Sequence, residues 1–203
     1  MSTIMDNQAI ETRLAARLRA EREARGWTLA DLAERSKVSR AMVSKVERGE
    51  ASPTAALLGR LAAALGLTLS QLFARVEDGG RVARATAQPV WRDPETGFLR
   101  RSLSPPGNAP MELVWGELPP GAEVAYPVAA FAYIADQQVV VLEGALTVAQ
   151  GDTAHNLGPG DCLRFGPPCE TAFRNPGAVP CRYVVAVLRA ADAPGAAGLP
   201  PRG

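Results

Sequence analysis

Near residue 80 the chain changes its periodicity, and no single layer of secondary structure can accommodate both sides of that change. Before residue 73 apolar side chains recur at the fourfold spacing of a helix with one buried face. From about Arg81 that period is gone, and short β-rich runs alternate with Gly and Pro. A length of 203 residues allows two small domains, each with a core of its own. The expected division is a tail over 1–10, a helical domain over 11–73 and a linker over 74–84 containing Asp78-Gly79-Gly80. A β domain over 85–189 and a loose, disordered tail over 190–203 complete it.

The helical part divides itself by its caps. Ile10, Leu14 and Leu18 define one apolar face, and Gly26 stands where that helix stops. Thr28 followed by Asp31 is a capping-box pattern for a helix from Leu29 to about Arg35. After the break Lys37-Val38-Ser39, Ser39 caps a third helix that runs to Arg48 and ends at Gly49. Ser52-Pro53 opens a fourth, ending at Gly66, and Thr68 to Phe73 suffices for a fifth.

In the second part the candidate strands are Ala85–Trp91, Phe98–Leu103, Met111–Glu117, Val139–Glu143, Ala145–Gln150, Cys162–Phe165, Thr171–Arg174 and Arg182–Leu188. Turn residues separate them at short intervals, which predicts a sandwich or a barrel.

Several classes of function are already disfavoured. No apolar run reaches the roughly 18–20 residues of a membrane span, and the N-terminus lacks the apolar stretch of a signal peptide, so a cytoplasmic location is expected. Three cysteines, Cys162, Cys169 and Cys181, lack CxxC spacing, which speaks against a disulfide framework or a zinc knuckle, and they read as buried small hydrophobes. The single histidine, His155, cannot build a site that needs several imidazoles and reads as an ordinary strand residue. The formal charge of +1 hides an asymmetry, because residues 1–75 hold 12 Lys and Arg against 8 Asp and Glu. Only that part is suited to approach a polyanion.

The third helix sharpens this. Met42, Val43 and Val46 share an arc that would pack on the bundle, while Ala41, Ser44, Lys45 and Arg48 fall on the opposite arc, flanked by Arg40. Short side chains beside long cations suit a groove wall, where Arg and Lys reach guanine edges or phosphates and Ser reaches either. The same cations would also suit a solvated face. Glu47 reads as the ion-pair partner of a bundle arginine, and Trp27 as core.

The order Trp27-Thr28-Leu29-Ala30-Asp31-Leu32-Ala33, Val38-Ser39-Arg40, Ser44-Lys45-Val46-Glu47-Arg48-Gly49 and Pro53-Thr54 resembles the Cro/repressor-like (XRE) helix-turn-helix family over roughly residues 11–73. The resemblance implies a five-helix, lambda-repressor-like domain whose third helix enters the major groove, with dimers reading two half-sites on double-stranded DNA. The expected contacts are Thr28, Ser39, Arg40, Ser44, Lys45 and Arg48. Two positions depart from the pattern: Leu29 stands where many members carry glutamine, and Lys37 where glycine usually makes the turn.

The turns Pro119-Pro120-Gly121, Glu143-Gly144, Leu157-Gly158-Pro159-Gly160-Asp161 and Asn175-Pro176-Gly177 resemble the cupin family over about residues 108–188, implying a double-stranded β-helix, or jelly-roll, barrel. Cupin enzymes usually hold a metal with three His and a Glu. Counting from the turns puts Phe131, Tyr133, Gln137 and Thr171 at those positions, and none is a good ligand. No metal and no cofactor are expected. The substituted site is apolar with a few hydrogen-bonding tips, which suits a small organic ligand. Strand alternation adds Val139, Val141 and Phe173, with Trp115 from a neighbouring strand. A barrel filled solid by these side chains is the alternative.

Together these point to a homodimeric DNA-binding transcriptional regulator, not an enzyme, whose metal-free cupin domain senses an unknown small-molecule effector. A cupin enzyme with an appended DNA-binding domain, and an antitoxin-like module with the barrel as dimerisation platform, are the competing readings.

Overall fold

The computed structural model describes residues 3–73, 81–107 and 109–190, with side chains from residue 9 onward. The expected tail over 190–203 lies, apart from Ala190, outside the described residues, as do residues 74–80 of the expected linker.

Five helices come first: α1 (Thr3–Ala24), α2 (Leu29–Ser36), α3 (Arg40–Glu47), α4 (Ala55–Ala64) and α5 (Leu69–Phe73). Helix α1 begins well before residue 11, so the expected N-terminal tail is largely helical. It buries Ile10, Leu14 and Leu18 and stitches its polar side with Arg17–Glu21, Arg19–Glu23 and Arg25–Glu21 pairs at i,i+4 spacing. The capping box of α2 forms as expected, with the Asp31 amide donating to the Thr28 hydroxyl and the Thr28 amide donating to the Asp31 carboxylate. Ser39 caps α3 by accepting from the Met42 amide at 3.2 Å. For α4 the expected cap at Ser52 is displaced by two residues, because Thr54 accepts from the Leu57 amide. Lys37, where glycine is usual, adopts the left-handed conformation at φ 55° and ψ 31°, so the turn keeps its shape with a side chain attached.

Ten strands follow among the described residues: β1 (Val90–Arg92), β2 (Leu99–Ser102), β3 (Met111–Leu118), β4 (Glu123–Tyr126), β5 (Ile134–Glu143), β6 (Leu146–Gln150), β7 (Thr153–Leu157), β8 (Cys162–Arg164), β9 (Thr171–Arg174) and β10 (Cys181–Arg189). They form a six-stranded sheet, β1-β2-β3-β10-β5-β8, facing a four-stranded one, β4-β9-β6-β7. All the pairings are antiparallel. Two facing antiparallel sheets of this kind make the jelly-roll barrel that the turns led one to expect. Three details differ from expectation. Ala85–Ala87 is a single 3-10 turn, so the first strand is only three residues long. Strand β4 was not foreseen, and β7 was foreseen only at His155, which lies on it as a strand residue. The cysteines are free, but only Cys181 is the buried small hydrophobe expected of all three, since Cys162 is exposed. Asn175 is fully buried, and its amide nitrogen donates to the carbonyls of Leu118, Pro119 and Val179, clamping the corner that follows β9.

The two domains share one apolar core. Phe73 of α5 meets Trp91 of β1 with ring centroids 5.6 Å apart. Asp93, in the turn after β1, is buried and accepts the Ala55 amide at the start of α4 at 2.6 Å, as well as the Glu95 and Thr96 amides of its own turn. Gly59 lets α4 lie close to the barrel: a Cβ there would stand 3.4 Å from that of Ala130 and 3.5 Å from the Tyr126 ring. No helix among the described residues is long and apolar enough to cross a membrane.

Candidate functional site

The α2–α3 unit is held rigid from beneath. Leu32, Val38, Val43 and Val46 are buried, whereas Met42, expected in that layer, stays exposed at the edge of the face. Beneath the far end of α3, Glu47 accepts two bonds from the Arg22 guanidinium, Nε to Oε1 at 2.7 Å and Nη2 to Oε2 at 2.8 Å. Glu47 is thereby removed from the outer face, as the sequence predicted, and that hydrogen bond raises the Arg22 pKa above its usual value.

Of the expected DNA contacts, Thr28, Ser39, Arg40, Lys45 and Arg48 are exposed and Ser44 is half-buried. Their freedom differs. The Thr28 hydroxyl donates to the Asp31 carboxylate at 2.7 Å, which occupies its proton. The Ser39 hydroxyl accepts a cap bond and keeps its proton to donate. Arg48 donates through Nε and Nη2 to the two carboxylate oxygens of Glu50, each at 2.6 Å, and through Nη1 to the Ser44 hydroxyl. That pairing holds the Glu50 carboxyl below the usual range and raises Arg48. Arg40 and Lys45 form no such pair with an acid among the described residues.

In the barrel, the positions that hold metal in cupin enzymes come together only in part. Phe131, Gln137 and Thr171 border a cleft of about 400 Å³ with Cys169 and the Asp136–Arg164 ion pair at its rim. Tyr133 lies outside it, half-buried, its carbonyl accepting from the Ala190 amide at 3.0 Å. An aromatic ring, a carboxamide and a hydroxyl do not make a divalent transition-metal site. No cluster of three His, Cys, Asp or Glu fit to hold a metal occurs elsewhere among the described residues either. The residues present do not fit the metal of a cupin enzyme.

A second void, of about 80 Å³, is lined mostly by buried side chains and shares Phe131, Ile134 and Gln137 with the cleft. Phe173 borders it as expected. Val139 is fully buried and borders neither space, and Thr171 borders the outer cleft but not this void. Trp115 is a correction. Strand β3 turns Val114, Gly116 and Leu118 inward, so Trp115 stands on the opposite face beneath the Arg101 guanidinium, 5.0 Å from its ring centroid. The sequence reading also missed the polar groups that the void gathers: Arg100 from β2, Tyr126 from β4, Tyr183 from β10, and Thr68 and Ser70 at the start of α5. Phe98-Leu99-Arg100 held the available signal, since Phe98 and Arg100 share one face of a strand and Phe98 is core. Burial pushes both phenols above their ordinary pKa and lowers that of Arg100.

Residues 18–72 match the family model described as helix-turn-helix. The first domain is therefore a helix-turn-helix domain, and it is joined to a jelly-roll barrel. The curated protein "HTH-type transcriptional regulator SutR" from Escherichia coli (strain K12) is 28% identical over 171 residues, spanning 81% of this chain and 88% of that one. A crystal structure of an HTH_3 family transcriptional regulator from Vibrio cholerae is similar with a TM-score of 0.71 and 23% identity, covering 90% of this chain and 98% of that one. That likeness is one of fold. The cupin_2 domain of an XRE family transcriptional regulator from Enterobacter cloacae aligns with 45% of this chain and 95% of its own at a TM-score of 0.40 and 21% identity.

Proposed function

We propose that this chain binds operator DNA as a homodimer, reading two half-sites with α3, and that a small molecule bound inside the barrel alters that binding. The reading rests chiefly on one observation: Arg40, Ser44, Lys45 and Arg48 stand together on the outer face of a helix whose inner face is locked by Val43, Val46 and the Arg22–Glu47 pair. Hydroxyls and cations presented on a rigid helix are what direct readout and phosphate contact require. A dimer is supported by the outer face of the six-stranded sheet. There Met111, Leu113 and Leu188 are 58%, 38% and 38% exposed, with Trp115 and Val184 alongside, and an apolar patch of that kind is suited to a second copy.

Operator binding by the full chain, selected from random duplexes and followed by fluorescence anisotropy, tests the reading. Lys45→Ala is expected to lower the salt slope by about one phosphate. Glu50→Gln is expected to strengthen binding several-fold, because Arg48 no longer has to leave a carboxylate for a phosphate. Arg40→Ala is expected to change the selected sequence. Absence of duplex binding at low ionic strength refutes the proposal.

A further inference from the structure

The inner void is walled on one side by the DNA-binding domain itself, through Thr68, Leu69 and Ser70. On the barrel side its most unusual member is Arg100. This guanidinium is 5% exposed, and no carboxylate lies within ion-pair distance of it among the described residues. Its neutral partners are the Ser70 hydroxyl, to which Nη2 donates at 2.6 Å, the Ser102 hydroxyl, to which Nη1 donates at 3.1 Å, and the face of Phe73, 4.8 Å from the guanidinium carbon. Two of an arginine's five N–H donors are thus used on hydroxyls. Glu112 is the acid nearest in effect to Arg100: it is hydrogen-bonded to the same Ser70 hydroxyl and acts on the guanidinium through its charge, but its ion pair is with Arg189 at 3.7 Å. Two guanidiniums, Arg100 and Arg189, thus share one carboxylate, and a buried cation whose charge is only partly compensated is unfavourable unless a further anion completes it.

The rest of the lining specifies what kind of anion. Phe98, Phe173 and Tyr183 are stacked along one side, with centroids 6.4 Å and 5.8 Å apart, and Val114, Val185 and Val187 close another. Tyr126, Tyr183 and Gln137 line the same space as Arg100 and carry two hydroxyls and a carboxamide, all groups able to donate. One guanidinium with neutral donors neutralises a single negative charge, and a dianionic phosphate would be undercompensated. The volume, about 80 Å³, is roughly half that of an apolar void that accepts benzene, about 150 Å³. Gly116 contributes to that shape, since a Cβ there would overlap the Tyr183 ring at 2.6 Å.

We propose that the ligand of this void is a short aliphatic carboxylate, a monoanion with a body of a few carbons, bound with Arg100 as its counter-ion between the barrel and helix α5. The proposal rests on the regulator reading only for its biological meaning. The binding chemistry is independent of it.

Propionate and its neutral isostere propionamide share shape and differ in charge, so the contrast between them needs no mutant. Titrated into the full-length protein at constant ionic strength, propionate is expected to raise Tm saturably and to give a one-to-one calorimetric isotherm, and propionamide to bind at least tenfold more weakly. Arg100→Met, an apolar side chain in a largely apolar setting, is expected to abolish the difference, and Arg100→Lys to retain part of it. Equal behaviour of the two probes, or no saturable binding of propionate or the slightly larger pyruvate, overturns the proposal. So does propionate affinity unchanged in Arg100→Met. Should that variant fail to fold, the wild-type contrast alone decides. Duplex binding measured without any acid decides the regulator reading separately, so the failure of one is not mistaken for that of the other.

Discussion

Lys37 shows how one residue can keep a motif while departing from its usual chemistry. A left-handed backbone costs a residue with a Cβ on the order of 1 kcal/mol relative to glycine, and here the turn between α2 and α3 enforces it. Lys37→Gly is therefore expected to stabilise the chain by about 0.5–1 kcal/mol, the gain being reduced by the greater unfolded-state freedom of glycine. A small rise in Tm checks this, and a fall would show that the lysine side chain contributes more than its backbone strain removes. The strain was legible in the sequence, because a non-glycine stood where the family turns with glycine. Arg100 was not, because its role depends on α5 arriving from a distant part of the chain to supply Ser70. The exposed face of α3 was readable from spacing alone, while Met42, at the border of that face, was assigned to the wrong side. A helical arc fixes the centre of a face better than its edges.

At the scale of elements, the caps announced the helices and the turn glycines announced the barrel, so fold class was available before any coordinates. Boundaries were lost where a distant group decides them. Helix α4 starts at Ala55 because Thr54 caps it and because Asp93, 38 residues later, accepts the Ala55 amide. Ser52 and Pro53 could not reveal that. Asp93→Ala leaves the amides of Ala55, Glu95 and Thr96 without this acceptor, and a cost of roughly 3 kcal/mol is expected from stranding buried donors. Chemical denaturation measures it, and faster hydrogen exchange at the Ala55 amide would locate it at the junction. Trp115 was misplaced for a different reason. The parity of β3 is fixed by its pairing with β10, where Trp115 faces Val184, and a one-residue error in assumed parity moves a side chain from the barrel interior to its outer face.

For the whole molecule, the change of periodicity predicted two domains, each with a core of its own, and a helical and a β domain are present. Their independence is what the sequence overstated. Phe73, Trp91, Asp93 and Gly59 join them into one buried cluster, so they are expected to unfold together. Far-ultraviolet dichroism, dominated by the helices, and the fluorescence of Trp91 and Trp115 should then report coincident melting curves. Two resolved transitions would show that the junction is too weak to couple them.

Helix α5 belongs to the DNA-binding domain by sequence but closes the inner void of the barrel by position. A chimera that grafts another reading head onto this barrel must therefore carry Thr68–Phe73 along with it. If the cut were made between these residues and β1, Arg100 would lose Ser70 and Phe73 as partners and stand open to solvent, and the graft would arrive with one wall missing.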